Sequence, residues 1–231
     1  MNKNTKLRKF IANTIQKYLN EEYSKSNLKA IKDFYPEYYK DAKNNSEIVG
    51  WPSKEEQYKR FDVLLKIGFK EGDTVLDFGC GLGALYEYMT KKYDDFEYIG
   101  VDINDEFIEK CKQTYPHIIF KKINDIKNVK QSYDWFIASG AFTVYTPIKN
   151  MMETIKVAFS QAKYGVAVNF LESTHAKNSD LQAIRGYDKE EIYKTFSQEF
   201  EKPNIVKLID EYVKNDFTIY IKKPKAKPPK K

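Results

Sequence analysis

The run VLDFGCGLGALYEYM, residues 75–89, constrains this chain more than any other segment. An apolar, strand-like stretch ends at Asp77, Gly79, Gly81 and Gly83 follow at alternate positions, and a helical pattern begins at once. Glycines so spaced let a backbone turn tightly and approach a ligand without a Cβ in the way. The helix beginning near Gly83 aims its first free N–H groups at the same point. Strand, glycine turn and helix in this order open a nucleotide-binding α/β unit. The dinucleotide fingerprint is G-x-G-x-x-G, with a pyrophosphate seated on the helix N-terminus. Here the spacing is G-x-G-x-G, and Asp77 stands two residues ahead of the first glycine. A carboxylate at that place repels a pyrophosphate and attracts an ammonium, so spacing and charge both favour a ligand with an amino group.

From residue 73 onward, short apolar runs alternate with helical patterns. Strands are expected at 73–78, 96–101, 117–122, 133–138, 164–171, near 204–210 and at 216–222. Helices are expected at 83–93, 104–115, 147–163 and 188–199. Alternation of this kind implies parallel strands joined by right-handed crossovers. The last two strands are close enough in sequence for an antiparallel hairpin. Ahead of this core, apolar residues at helical spacing predict amphipathic helices over 5–20 and 27–40. A loop at 41–52 leads to a helix from Ser53 to about Ile67, opened by the capping-box spacing of Ser53 and Glu56. The chain thus divides into an N-terminal helical extension or lid (1–68), a core (69–222) and a basic, disordered tail (223–231).

Two further acids join Asp77. Asp102 ends the second strand, 19 residues after Gly83, where a carboxylate takes the hydroxyls of a ribose. Ile103 beside it is placed to cover one face of a purine. After the third strand, Asp125 is placed to accept from an adenine amine, with Ile126 packing on the ring. Loop acids taken singly are usually only solvated. Three at the carboxyl ends of successive parallel strands form a row along the expected ligand crevice.

With these residues in view, 73–170 resembles the class I S-adenosylmethionine (SAM)-dependent methyltransferase family. DFGCGLG stands as its glycine motif, VD as its ribose motif and ND as its adenine motif. The segments GWPSKEEQYKRF, ASGAF, GVAVNFL and DFTIYIKK are similar to a bacterial group of small methyltransferases whose acceptors are mostly unassigned. The resemblance implies an α/β, Rossmann-like, doubly wound sheet of seven strands with an antiparallel last strand, preceded by the N-terminal helical extension. It implies SAM as cofactor, with Asp77, Gly79, Gly81 and Gly83 on the methionine side, Asp102 at the ribose and Asp125 at the adenine. Cys80 and Ser139 fall in the same row of cofactor contacts, although Cys80, inside the glycine turn, reads first as a packed structural residue.

Methyl transfer from a sulfonium needs an aligned acceptor, and a base only where the acceptor is protonated. Strand four ends in ASGAFTVYTP, 138–147, where this family lines its acceptor pocket. Phe142 and Tyr145 are the substrate-side candidates there. DNA amino-methyltransferases of this fold carry an Asp/Asn-Pro-Pro-aromatic motif at that position, and this chain has Ser139-Gly140-Ala141-Phe142. Cytosine C5 enzymes use a Pro-Cys nucleophile, and no Cys follows Cys111. What remains is an oxygen or nitrogen of a small molecule, sugar-linked acceptors included, or a tRNA or peptide group. His175 is a candidate base beside Glu172; the alternative is a surface histidine in a polar loop. Arg60 is a candidate fork for the SAM carboxylate, against an ion pair with Glu56 or another surface acid. Tyr38, Tyr39 and Trp51 suit an acceptor lid or core packing, and Tyr187 is a further pocket candidate.

Charge and cysteine content set limits on partners. The formal charge of +6 is matched by six lysines in residues 222–231, so the remainder of the chain sums to zero. The basicity therefore belongs to a Lys/Pro tail, either a solvated end or a contact for nucleic acid, and not to a groove on the body. Two cysteines without CxxC spacing give no disulfide framework and no metal pattern, which suits the cytoplasm. No signal peptide and no apolar run of ~20 residues are expected, hence no membrane partner. The pattern assigns no oligomeric state. Three readings follow: a small-molecule methyltransferase, a SAM-binding protein without transfer activity, and an RNA methyltransferase using the tail.

Overall fold

A computed structural model describes residues 45–123, 125–144, 146, 148–173 and 185–224. The helices expected over 5–20 and 27–40, with Tyr38 and Tyr39, lie outside the described residues, as do Tyr145, His175 and the tail from 225 onward.

Seven strands form one sheet: β1 (Thr74–Phe78), β2 (Glu97–Asp102), β3 (Ile119–Lys122), β4 (Trp135–Ala138), β5 (Gly165–Leu171), β6 (Ile205–Ile209) and β7 (Asp216–Lys222). Their order is β3-β2-β1-β4-β5-β7-β6. The first five are mutually parallel, and β7 runs antiparallel to both β5 and β6. Every strand read from the apolar runs is present, most of them starting one or two residues later. Helices α1 (Asn45–Ile48), α2 (Lys54–Leu65), α3 (Ala84–Met89), α4 (Asp105–Thr114), α5 (Ile148–Gln161) and α6 (Lys189–Glu199) complete the described core. Only α3 falls well short of its expected span of 83–93. Thr90 ends it by turning its hydroxyl back to the Glu87 carbonyl at 2.9 Å, and the chain goes on in turns.

Side chains alternate across each strand, which divides the core in two. On one face Leu76, Phe136, Val166 and Phe217 pack with Met151 and Ile155 of α5 and Phe196 of α6. On the other, Val75, Tyr98, Ile137 and Tyr220 pack with Leu64 of α2, Leu85 of α3 and Ile108 of α4. Asp77 shares this second face by alternation from Val75. Burial on both faces explains why these strands read as apolar runs rather than as alternating patterns.

Ser53 is the N-cap of α2, with extended backbone and its Oγ accepting the Glu56 N–H at 3.1 Å, as the capping-box spacing predicts. Ser53→Ala is therefore expected to lower unfolding free energy by about 1 kcal/mol in urea titrations. That loss should leave the slope of the transition unchanged.

Candidate active site

The strand order reverses between β2 and β4 on either side of β1, and a crevice outside the strand ends is the geometric consequence. It holds a cavity of about 400 Å³. The glycine turn forms its floor. Gly79 and Gly81 have φ of 76° and 53°, in the left-handed region. A Cβ on Gly79 would come within 2.7 Å of Ala141 Cβ, and one on Gly81 within 2.9 Å of Val49 Cγ1. These glycines thus admit protein neighbours as well as a ligand. The Gly79 and Cys80 N–H groups donate to the Val101 carbonyl at 2.8 and 3.0 Å, tying the turn to the end of β2. Gly83 has a left-handed φ of 78° and caps α3 instead of bordering the cavity.

Asp77 is 3% exposed and accepts the Tyr98 hydroxyl. Burial pushes its carboxyl up to about 7; the Tyr98 hydrogen bond opposes this and the Asp102 charge adds to it. Asp102 accepts the Gly81 N–H at 2.9 Å on one oxygen and the Asn104 N–H at 2.8 Å on the other. Burial raises its carboxyl too, while backbone N–H groups of Asn104, Gly81 and Ile103 hold it down. Asp125 caps the short 3₁₀ turn Ile126–Asn128, accepting the Lys127 N–H at 3.0 Å, and borders the cavity with Ile103 and Ile126. In the opposite wall, Ser139 Oγ is buried and has no hydrogen-bond partner among the described residues. Buried hydroxyls are nearly always paired, so an orphan beside a cavity points to a ligand. A buried carboxyl ready to take a cation, two more acids and this hydroxyl fit a ligand with an amino group and several N–H or O–H donors.

The family described as "Methyltransferase domain" matches residues 75–182. Among solved structures, the fold is shared with magnesium protoporphyrin IX methyltransferase of Synechocystis PCC 6803 with bound SAH, at a TM-score of 0.61 and 14% identity. That match covers 86% of this chain and 100% of the other. A SAM-dependent methyltransferase of Clostridium acetobutylicum matches at a TM-score of 0.57 and 12% identity, over 84% and 98% of the two chains. Residues 75–182 match a methyltransferase domain, on a fold shared with SAM-dependent methyltransferases. In sequence, the chain is 28% identical over 153 residues to protein 235L of Invertebrate iridescent virus 6, named as a methyltransferase, covering 62% of this chain and 52% of that one. It is 30% identical over 109 residues to cyclopropane-fatty-acyl-phospholipid synthase of Escherichia coli, covering 46% of this chain and 26% of the synthase. The chain therefore spans about half the viral relative and about a quarter of the synthase.

Most residues singled out from the sequence converge on this methyltransferase domain's cavity. Trp51 and Phe142 border it, Phe142 also stacking on Phe78 with ring centroids 5.7 Å apart. Cys80 borders it as well, but its thiol points to the Gly81 carbonyl at 3.8 Å, shared with Cys111 at 3.3 Å, and burial raises it strongly. An unreactive, packed thiol is the result.

Besides Gly83, three residues go elsewhere. Arg60 does not border the cavity: it is 4% exposed, its Nε donates to Asp216, and its Nη1 donates to the Glu56 carbonyl at 3.0 Å. The alternative ion pair with Glu56 is present at 3.5 Å, but the main partner is Asp216, a buried acid rather than a surface one. Tyr187 is buried against Phe170 and donates to the Phe142 carbonyl at 2.7 Å, so it braces the loop after β4 from behind. Glu172 bonds through its backbone to Asn215 and does not border the cavity.

The structure also assembles residues that sequence reasoning missed. Val49 borders the cavity from the N-terminal side, beside Gln57 of the lid segment, which is 4% exposed. Tyr98 supports Asp77 from the neighbouring strand. Asn169 and Asp216 form a buried polar pair beside Arg60. A polar residue inside the apolar run GVAVNFL was the available signal for Asn169. Nothing local marks Asp216.

Proposed function

We propose that this domain moves a methyl group from SAM to an oxygen or nitrogen of a small-molecule acceptor. The observation that carries the reading is Asp77, a buried carboxyl two residues ahead of G-x-G-x-G with no cation beside it among the described residues. It accepts the ammonium of the methionine moiety; Asp102 takes the ribose hydroxyls, Asp125 and Ile126 the adenine, and Ser139 Oγ a further donor or acceptor of the ligand. When bound, SAM supplies an electrophilic methyl on a sulfonium. The chain's own task is then orientation, which accounts for up to ~7–11 kcal/mol in well-aligned reactions. Residues 45–68 serve as one wall of a lid, through Val49, Trp51 and Gln57.

The acceptor side rests on exclusion. The motif after β4 lacks the amino-group acceptors of DNA enzymes. Asp77, Asp102, Asp125 and Glu153 border the cavity against a single described cation, Lys127, which disfavours a polyanion. Among the described residues Glu172 stands away from the cavity, and orientation carries the proposal. The relatives' names span a porphyrin and a phospholipid, and the fold does not pass on an acceptor.

Calorimetric titration with SAM and SAH tests the donor, and Asp102→Ala is expected to weaken SAH binding at least tenfold. Unchanged affinity in that variant would overturn the ribose assignment. Incubating a metabolite extract with labelled SAM, followed by mass identification of the product, tests the acceptor. Label appearing only in RNA or protein would sink the small-molecule reading.

A further inference from the structure

Asn169, Asp216 and Arg60 are 2%, 5% and 4% exposed, and none of them borders the cavity. Together they join two segments that do. Asn169 Oδ1 accepts the Gly140 N–H at 2.6 Å, and its Nδ2 donates to Asp216 Oδ1 at 3.2 Å. Arg60 Nε donates to the other Asp216 oxygen, and the Tyr212 hydroxyl donates to Oδ1 at 3.0 Å. The Arg60 guanidinium lies 4.3 Å from the Trp51 ring centroid. The Trp51 ring in turn covers Gly140, where a Cβ would meet it at 2.8 Å. The connection closes on the residue where it began.

Gly140 follows Ser139, whose buried hydroxyl lacks a partner among the described residues. A buried ion pair adds little stability over apolar residues of the same volume. Hydrogen bonds do supply direction, which apolar packing lacks. Fixing the Gly140 N–H along one line fixes the peptide that carries Ser139. We propose that Asn169, held by Asp216 and Arg60, is a positioning residue that aims Ser139 at the bound ligand. This rests on the reading of the cavity as a SAM site.

The test is a double-mutant cycle in the full chain, with SAH affinity measured by calorimetry and melting temperature alongside. Ser139→Ala and Asn169→Ala are each expected to weaken binding about tenfold. If Asn169 acts through Ser139, the double variant binds no more than about twofold worse than Ser139→Ala alone. A multiplied loss near a hundredfold overturns the proposal. So does a lowered melting temperature in Asn169→Ala with SAH affinity intact. Should Asn169→Ala fail to fold, Asp216→Asn enters the same cycle, since it keeps the shape while removing the charge that holds Arg60 and turning one acceptor oxygen into an amide donor. An unmodified chain that binds no SAH overturns the SAM reading itself. One that binds SAH without the coupling overturns only the positioning role.

Discussion

Replacing Asp77 by Asn is expected to stabilise the unliganded protein at pH 8 while weakening SAH binding about a hundredfold. Both effects come from one buried carboxyl. Its ordinary value is 3.8 and burial lifts it to about 7 in the fold. Between those values the unfolded chain has lost a proton that the folded chain keeps. Folding stability therefore falls as pH rises through this window, and the cost is fully present above about pH 7. A shift of this size corresponds to about 4 kcal/mol, from which an imperfectly paired amide takes back about 1–3 kcal/mol. Urea unfolding should show the variant ahead by about 1–3 kcal/mol at pH 8, with the gain gone by pH 4. A gain that does not change with pH would contradict the assignment. The proposed ammonium partner explains why a destabilising carboxyl sits there: the cation restores in the complex what burial removes in the free protein. Function at this position is opposed to stability.

This trade also marks what the sequence makes legible. Asp77, the glycines and the strand–helix alternation are local patterns, and local patterns survive folding unchanged. The five inner strands, buried on both faces, announce themselves as apolar runs; the largely exposed edge strands β3 and β6 were readable as short apolar stretches between helical patterns, and the β6–β7 hairpin followed from its short connection. Asp102 and Asp125 were readable because a parallel sheet puts the carboxyl ends of successive strands along one edge. Tyr187 failed as a pocket residue for the opposite reason. Its partner, the Phe142 carbonyl, lies 45 residues away, and which side of the loop it meets depends on how β5 and α6 pack. Val49 and Gln57 belong to a segment whose approach to the glycine turn is set by contacts across the whole domain. Asn169 and Asp216 meet only because β7 inserts beside β5, in a register that pairs Asn169 with Thr218 and Leu171 with Asp216. No spacing rule reports such a register.

Arg60 is the sharpest case, because the two chemistries that the sequence leaves open for it make opposite demands on stability. As a fork for the ligand's carboxylate it would be dispensable to the free protein. As placed, its side chain is 5% exposed against an Asp216 side chain 2% exposed, 156 residues away. Arg60→Met leaves that carboxylate buried with only Tyr212 and Asn169 as donors, and is expected to cost about 3–5 kcal/mol of unfolding free energy at pH 8. The stranded carboxyl escapes by taking a proton, so its folded value rises further and the deficit shrinks as pH falls toward 5. Pairing Arg60→Met with Asp216→Leu removes both charges and should recover part of the loss. About 1–3 kcal/mol stays missing, because the Asn169 amide and the Tyr212 hydroxyl lose their acceptor. Denaturant titrations of the two single variants and the double at pH 5 and pH 8 read each of these quantities. A guanidinium that served the ligand instead would reverse the pattern: unfolding free energy within ~1 kcal/mol of the parent, SAH affinity sharply reduced, and no recovery in the double variant.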